Sequence, residues 1–277
     1  MTLIRTAKPA FGHPGLDPRW TSARKGAIGT AHSRSSRVWY TLARGVLTEI
    51  YYPTLDLPQV RDVQFLVTDG AALVHSERRD TTHTVERMTR HSLGLRTVNA
   101  DPEGRYRIVK EVIADPKRPC VLMSVSFEAA GAWKDRLRLY ALVNPHIGGS
   151  GSGNSAHLAV IDTRTVLTAT RDDAWMAVAA SVAVLRASCG FVGMSDGWTD
   201  LHRHKELTWD FDSAVSGNVS LIGELDLGET SSFTLGIAFG NHEHDAATTL
   251  LQSLARPFAE HRSRFNGQWD RACAAQL

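Results

Sequence analysis

Apolar and polar residues alternate with a period of two along most of this chain, in short runs closed by Gly, Pro, Asn and Asp. The clearest stretch is 36–62, SRVWYTLARGVLTEIYYPTLDLPQVRD. Val38, Tyr40 and Leu42 share one face. After Ala43-Arg44-Gly45, one face carries Val46, Thr48, Ile50 and Tyr52, and the other carries Leu47, Glu49 and Tyr51. β-Branched and aromatic residues in this spacing fit a pleated, half-buried surface, so the stretch predicts a hairpin. Pro53 and Pro58, which have no N–H to donate, are expected to end its ladder, and Trp39 is expected in the core. Further strands are predicted at 63–67, 73–75, 82–88, 93–98, 106–113, 120–127, 136–143, 157–161, 165–170, 175–179, 182–185, 191–192, 207–211, 219–225 and 232–239. Asp196–His204 reads as a loop with one helical turn. Parallel strands would need crossover helices, which this pattern lacks. The expected class is therefore all-β, a large antiparallel β-sandwich.

The period changes near the end. Asp245 is placed to cap a helix over 246–254, and Pro257 suits the first turn of another. Phe258, Phe265, Trp269 and Cys273 then recur at spacings of seven, four and four, which is one helical face. That face is expected to meet a further domain, the underside of the sandwich, or a second copy of the chain in a homodimer. The division expected is a sandwich over 1–240, with an irregular arm over 1–35 pinned by Phe11 and Trp20, and a helical linker over 241–277.

Composition narrows the function classes. A chain of 277 residues with 43% hydrophobic residues can bury a large core. A formal charge of +2, without a long Lys/Arg run, gives no ground for a nucleic-acid or acidic-membrane partner. No apolar run reaches 18 residues. Cys120, Cys189 and Cys273 lack metal-ligand spacing and fit reduced thiols, so a cytoplasmic location is expected.

A series of segments in order carries a family resemblance: 11–21 (FGHPGLDPRWT), 35–41 (SSRVWYT), 49–53 (EIYYP), 101–107 (DPEGRYR) and 139–146 (LYALVNPH). Over essentially its whole length the chain resembles the N-terminal domain of bacterial glucoamylases and glucodextranases, glycoside hydrolase family 15. The resemblance implies a supersandwich of the galactose-mutarotase-like type. It also implies a helical linker and a following (α/α) barrel that carries both catalytic carboxylates and releases glucose from α-glucans by inversion. This chain would then be non-catalytic, supporting the fold and placement of that barrel. Relatives carry a tryptophan near Ser152, where this chain has the run Gly148–Gly153 (GGSGSG), which reads as a flexible surface loop.

Candidate chemistry is sparse. No GxSxG, GxxxxGK[ST] or HExxH occurs, and no cofactor or metal is implied. His202/His204 and His242/His244 have the i, i+2 spacing of paired ligands on a strand, without a third ligand. Asp210 and Asp212 would share a strand face at a solvent-facing end. Glu49, between apolar neighbours, fits a satisfied structural carboxylate. A mutarotase-like reaction would need a His acid facing a Glu base; His146 is available and no partner can be named. The best candidate for sugar contact is Trp198, flanked by Asp196 and Asp200, whose oxygens could accept sugar hydroxyls. The alternative to a supporting domain is a stand-alone carbohydrate-binding module or a mutarotase-like sugar enzyme.

Overall fold

Two antiparallel sheets stack face to face in the computed structural model of the chain, which describes residues 8–275. The first seven residues of the expected arm and the last two of the expected helical end lie outside these. The eight-stranded sheet contains β1 (Ala27–Thr30), β2 (Trp39–Ala43), β3 (Val46–Tyr51), β4 (Pro58–Thr68), β5 (Val74–Ser76), β10 (Arg138–Pro145), β14 (Val184–Phe191) and β16 (Val219–Leu225). Its order is β1-β2-β3-β4-β10-β16-β14, with β5 on β4. The nine-stranded sheet contains β6 (Thr82–Arg87), β7 (Leu95–Ala100), β8 (Tyr106–Ala114), β9 (Cys120–Ala129), β11 (Asn154–Ile161), β12 (Arg164–Arg171), β13 (Ala174–Ala180), β15 (Ser213–Gly217) and β17 (Ser232–Gly240). Its order is β15-β11-β12-β13-β17-β9-β8-β7-β6. The helices are α1 (Glu77–Asp80), α2 (Gly197–His204), α3 (Glu243–Leu254) and α4 (Phe258–Ala274).

Strand alternation sorts the residues into two cores. Phe65 and Val67 of β4 and Leu139, Ala141 and Val143 of β10 point between the sheets, into the main core. Leu66, Tyr140, Leu142 and Ile222 point outward, where Leu201 of α2 and Leu207 cover them in a second, smaller cluster. Each such apolar side chain contributes roughly 1.5–3 kcal/mol by leaving water. The main core also encloses an ion pair: Lys110 of β8 donates to Glu77 Oε1 and to Gly45 O at 2.7 Å, while Phe65 N donates to Glu77 Oε2 at 3.0 Å. Burial holds the Lys110 ammonium below its usual pKa, and the Glu77 carboxylate opposes that shift.

The hairpin forms as the pattern predicts, with a two-residue turn at Arg44 (φ 54°) and Gly45 (φ 72°). Positive φ at both central residues matches the type I′ geometry that suits strand twist. Several expectations are corrected. Pro58 opens β4 instead of ending the ladder, since a first strand residue need not donate. Trp39 is half-buried; its neighbour Tyr40 is the core residue, its hydroxyl donating to Val112 O at 2.7 Å. Strands expected at 182–185 and 191–192 are one strand, β14, whose register shift near Arg186 breaks the alternation. Residues 207–211 join no ladder, and β1 and β15 form where no strand was expected. The 148–153 loop is pinned by Asn154, whose side chain accepts from Ile147 N at 2.9 Å and donates to Ser150 O at 2.7 Å.

At the C-terminal end α3 starts at Glu243 with His242 as its cap residue, so Asp245 lies in the first turn rather than before it. Helix α3 packs on β17 and β13. The apolar face of α4 is turned onto the sandwich, not outward to a second copy. Phe265 is fully buried, fitting where Gly94 lacks a side chain beside Met88 and Ile113. Trp269 Nε1 donates to Thr30 O at 3.2 Å, and Phe258 is partly buried against the same core. Below these contacts lies a buried polar node. Ser253 Oγ of α3 donates to Asp115 Oδ2 at 2.7 Å, His261 Nδ1 of α4 lies 3.6 Å from the same oxygen, and His261 Nε2 lies 2.9 Å from Ser253 O. No helix among the described residues is long and apolar enough to cross a membrane.

Candidate functional site

A cavity of about 270 Å³ opens on the outer face of the eight-stranded sheet, between α1, α2 and the N-terminal arm. Its floor comes from β4 and β10, where Gln64 pairs directly with Leu142 and Asp62 with Asn144. One face of this ladder is thus polar at its end and apolar further along, under α2. The register slips between Asn144 and Pro145, leaving Arg61 as an extra residue on β4. Such a bulge re-aims a side chain, and Arg61 lines the cavity beside Asp62 instead of on the opposite face. Arg78 and Arg79 of α1 form a second wall. This single turn divides its side chains: Glu77 goes inward to Lys110, while Arg78 and Arg79 face the cavity. Val192, Gly193, Asp196 and Trp198 form the third wall, and Leu16 of the arm closes the rim.

The acidic groups around the cavity are taken up by the protein itself. Asp62 receives Arg61 Nε at 2.6 Å, Gln64 Nε2 at 2.8 Å and Asn144 Nδ2 at 3.1 Å. Asp196 caps α2, accepting from Thr199 N at 3.1 Å, from Thr199 Oγ1 at 2.9 Å and from Gly193 N. Ser76 Oγ donates to Gln64 Oε1 at 2.9 Å. Among the described residues Arg78 makes no hydrogen bond or ion pair to a carboxylate, and Arg79 stands 5.5 Å from the Trp198 ring centroid, a cation–π distance. The local balance favours positive charge.

The residues singled out in sequence fall in different places. Trp198 and Asp196 line the cavity and Asp200 does not. Asp200 is fully buried behind α2, accepting from Thr208 N and Trp209 N at 2.7 Å and from Thr208 Oγ1 and His204 Nδ1 at 2.6 Å. It ties the 207–212 strap to the helix and has no oxygen left for a sugar hydroxyl. The Trp198 ring already carries His202, four residues on along the helix, stacked at 3.6 Å. His202 and His204 therefore sit on a helix with separate partners rather than on a strand with a shared one. Among the described residues no three His, Cys, Asp or Glu side chains converge as a metal site would require. Asp212 is buried and accepts from Lys8 N at 2.8 Å, whereas Asp210 is exposed and pairs with the Lys8 ammonium, so the two do not share one face of a strand.

Beside the cavity, His146 is buried with both ring nitrogens unbonded to protein groups, its ring 4.6 Å from Trp20. Burial, with Arg61 nearby, pulls its pKa down to about 4. A histidine held neutral in this way is poorly placed as a general acid near pH 7. The carboxylates whose charge it feels are engaged: Glu49 accepts from Thr21 and Thr41 at 2.9 and 3.0 Å and pairs with Lys25, and Asp62 is engaged as above. Sequence reasoning missed Arg61, Arg78, Arg79, Gln64 and Asn144. The adjacent Arg78-Arg79 pair was visible, but the bulge at Arg61 leaves no mark in the pattern.

Comparison with known proteins follows this geometry. The sequence profile of the family described as glucodextranase, domain N, matches residues 10–274. A glucoamylase from a Clostridium strain is 36% identical over 264 residues, which is 95% of this chain and 38% of that protein. A crystal structure of a bacterial glucoamylase complexed with acarbose superposes with a TM-score of 0.96 at 35% identity, over 99% of this chain and 40% of that one. A GH92 inverting mannosidase from Bacteroides thetaiotaomicron shares the fold alone, with a TM-score of 0.54 at 9% identity, over 89% of this chain and 33% of that one. The chain thus spans about two fifths of the length of its glucoamylase relatives.

Proposed function

Because the chain belongs to the family of glucodextranase N domains, we propose that it is the non-catalytic sandwich portion of a glucoamylase-like glycoside hydrolase. Its role is to support the folding and placement of an (α/α)-barrel that carries the chemistry. The observation that carries this reading is the clamp on the helical end: Asp115, Ser253 and His261 tie α3 and α4 to the nine-stranded sheet, and Trp269 ties α4 to β1. A fixed pair of helices gives whatever follows a defined direction. Inverting glycosidases work with two carboxylates roughly 6.5–9.5 Å apart, one protonated and one ionised. Here Glu49, Asp62, Asp196 and Asp200 are each spent on fixed donors. The whole enzyme's action on α-glucans belongs to this proposal, as does a cytoplasmic setting, which the unpaired thiols Cys120, Cys189 and Cys273 suit. Sugar stacking on Trp198 has less support, because one ring face carries His202.

Co-expression tests the supporting role. The barrel region of the parent enzyme, produced with this chain, is expected to be recovered as a complex that melts well above the barrel produced alone. A barrel that folds to full stability alone, and does not bind this chain, would refute the role.

A further inference from the structure

We infer that the Arg61–Arg78–Arg79 cavity is a binding site for a small ligand bearing an oxyanion, of the sugar-phosphate or sugar-acid class. The charge comes first. Three guanidinium groups line a cavity whose one lining carboxylate, Asp196, has both oxygens turned to Gly193 and Thr199. The carboxylate behind the floor, Asp62, engages Arg61 through Nε, leaving the terminal nitrogens of that guanidinium for another acceptor. Arg78 is half-buried and has no carboxylate partner among the described residues. A guanidinium withdrawn from bulk water without a counter-charge is a donor set waiting for an acceptor, and its planar fork matches carboxylate and phosphate oxygens.

Size and wall chemistry define the rest of the ligand. At about 270 Å³ the cavity has room for one sugar ring with its charged group. Ser76, Gln64 and Asn144 add polar groups on the floor, and Leu142, Val192 and Leu16 add apolar surface for the ring. A few placed polar groups among apolar ones are the usual make-up of a small-molecule site. The bulge that brings Arg61 round is the second, geometric, reason to read the arrangement as a site: without it, the guanidinium would lie on the other face of β4.

Isothermal titration calorimetry on this chain tests the inference, with glucose 6-phosphate, glucuronate, inorganic phosphate and glucose as probes. Saturable binding of glucose 6-phosphate or glucuronate is expected, the tighter of the two identifying the oxyanion, with none for glucose. In Arg78→Gln the affinity should fall about tenfold or more, while the melting temperature without ligand stays at the wild-type value, which separates a lost contact from a lost fold. Arg79→Gln gives a second variant at an exposed position. Absence of binding by both sugar anions, or equal affinity in wild type and both variants, would overturn the inference. So would binding by this chain that disappears in the full-length protein, which would make the cavity a socket for another part of that protein.

Discussion

Over the nine-stranded sheet, α3 and α4 close the outer face, and the ionisable groups beneath them are paired: Asp115 with Ser253, and His261 with the Ser253 carbonyl. Over the eight-stranded sheet, α1 and α2 cover the outer face only in part. There, among the described residues, Arg78 has no carboxylate partner and His146 has two unbonded nitrogens, and Leu16 at the rim is 59% exposed. The two faces use similar residue types, so composition does not separate them. Saturation does. A buried polar group with its partners in place stabilises the fold, whereas one left without a partner costs free energy that a ligand or neighbour can recover.

The largest effect is expected beneath the open face, where α1 stands on the buried Lys110–Glu77 pair. Lys110→Ala leaves Glu77 buried and unpaired, which should cost about 3–5 kcal/mol and lower the melting temperature by about 10 °C in a chain of this size. A change within a degree or two would show that α1 is not held from below. On the closed face, Asp115→Ala removes the acceptor of Ser253 and should cost about 2 kcal/mol. Hydrogen exchange should then accelerate in α3 and α4 before it does in β8. Uniform acceleration, or none, would break the contrast between the faces.

Acid titration sharpens it further. The folded pKa of His146, about 4, lies below its ordinary 6.5. Between these values the unfolded chain takes up a proton that the folded chain refuses, so stability falls as pH drops through that window. The loss amounts to about 3 kcal/mol at its lower end. His146→Leu should flatten this part of the denaturation-versus-pH curve; an unchanged slope would mean that His146 is not excluded from solvent protons.

The strands that alternation revealed best are those with one buried face and few interruptions, such as β7 and β8. The ones it missed, β1 and β15, are short edge strands with small or exposed residues, so burial imposes no period on them. The strap over 207–211 has strand-like residues but gives its backbone donors to Asp200 and Ser188 instead of to a ladder. Helix α2 was read as a single turn within a loop because its eight residues hold little apolar surface, although Asp196 three places before Thr199 is an N-cap signal. Two of the twelve residues that line the cavity, Trp198 and Asp196, were legible. The arginines were not, since they meet only through the bulge at Arg61 and a single turn at α1, both set by tertiary packing. The apolar stripe of α4 was visible in sequence, but the choice of the sandwich among its three possible destinations was not, because Gly94 makes room for Phe265 from 171 residues away in sequence.

The central claim is that this sandwich supports a glycosidase without performing the cleavage, and glucose release measures it directly. Incubated alone with maltooligosaccharides, the 277-residue chain is predicted to release no glucose above a heat-treated control. Sustained release that co-purifies with the chain and is lost on unfolding it would contradict the account.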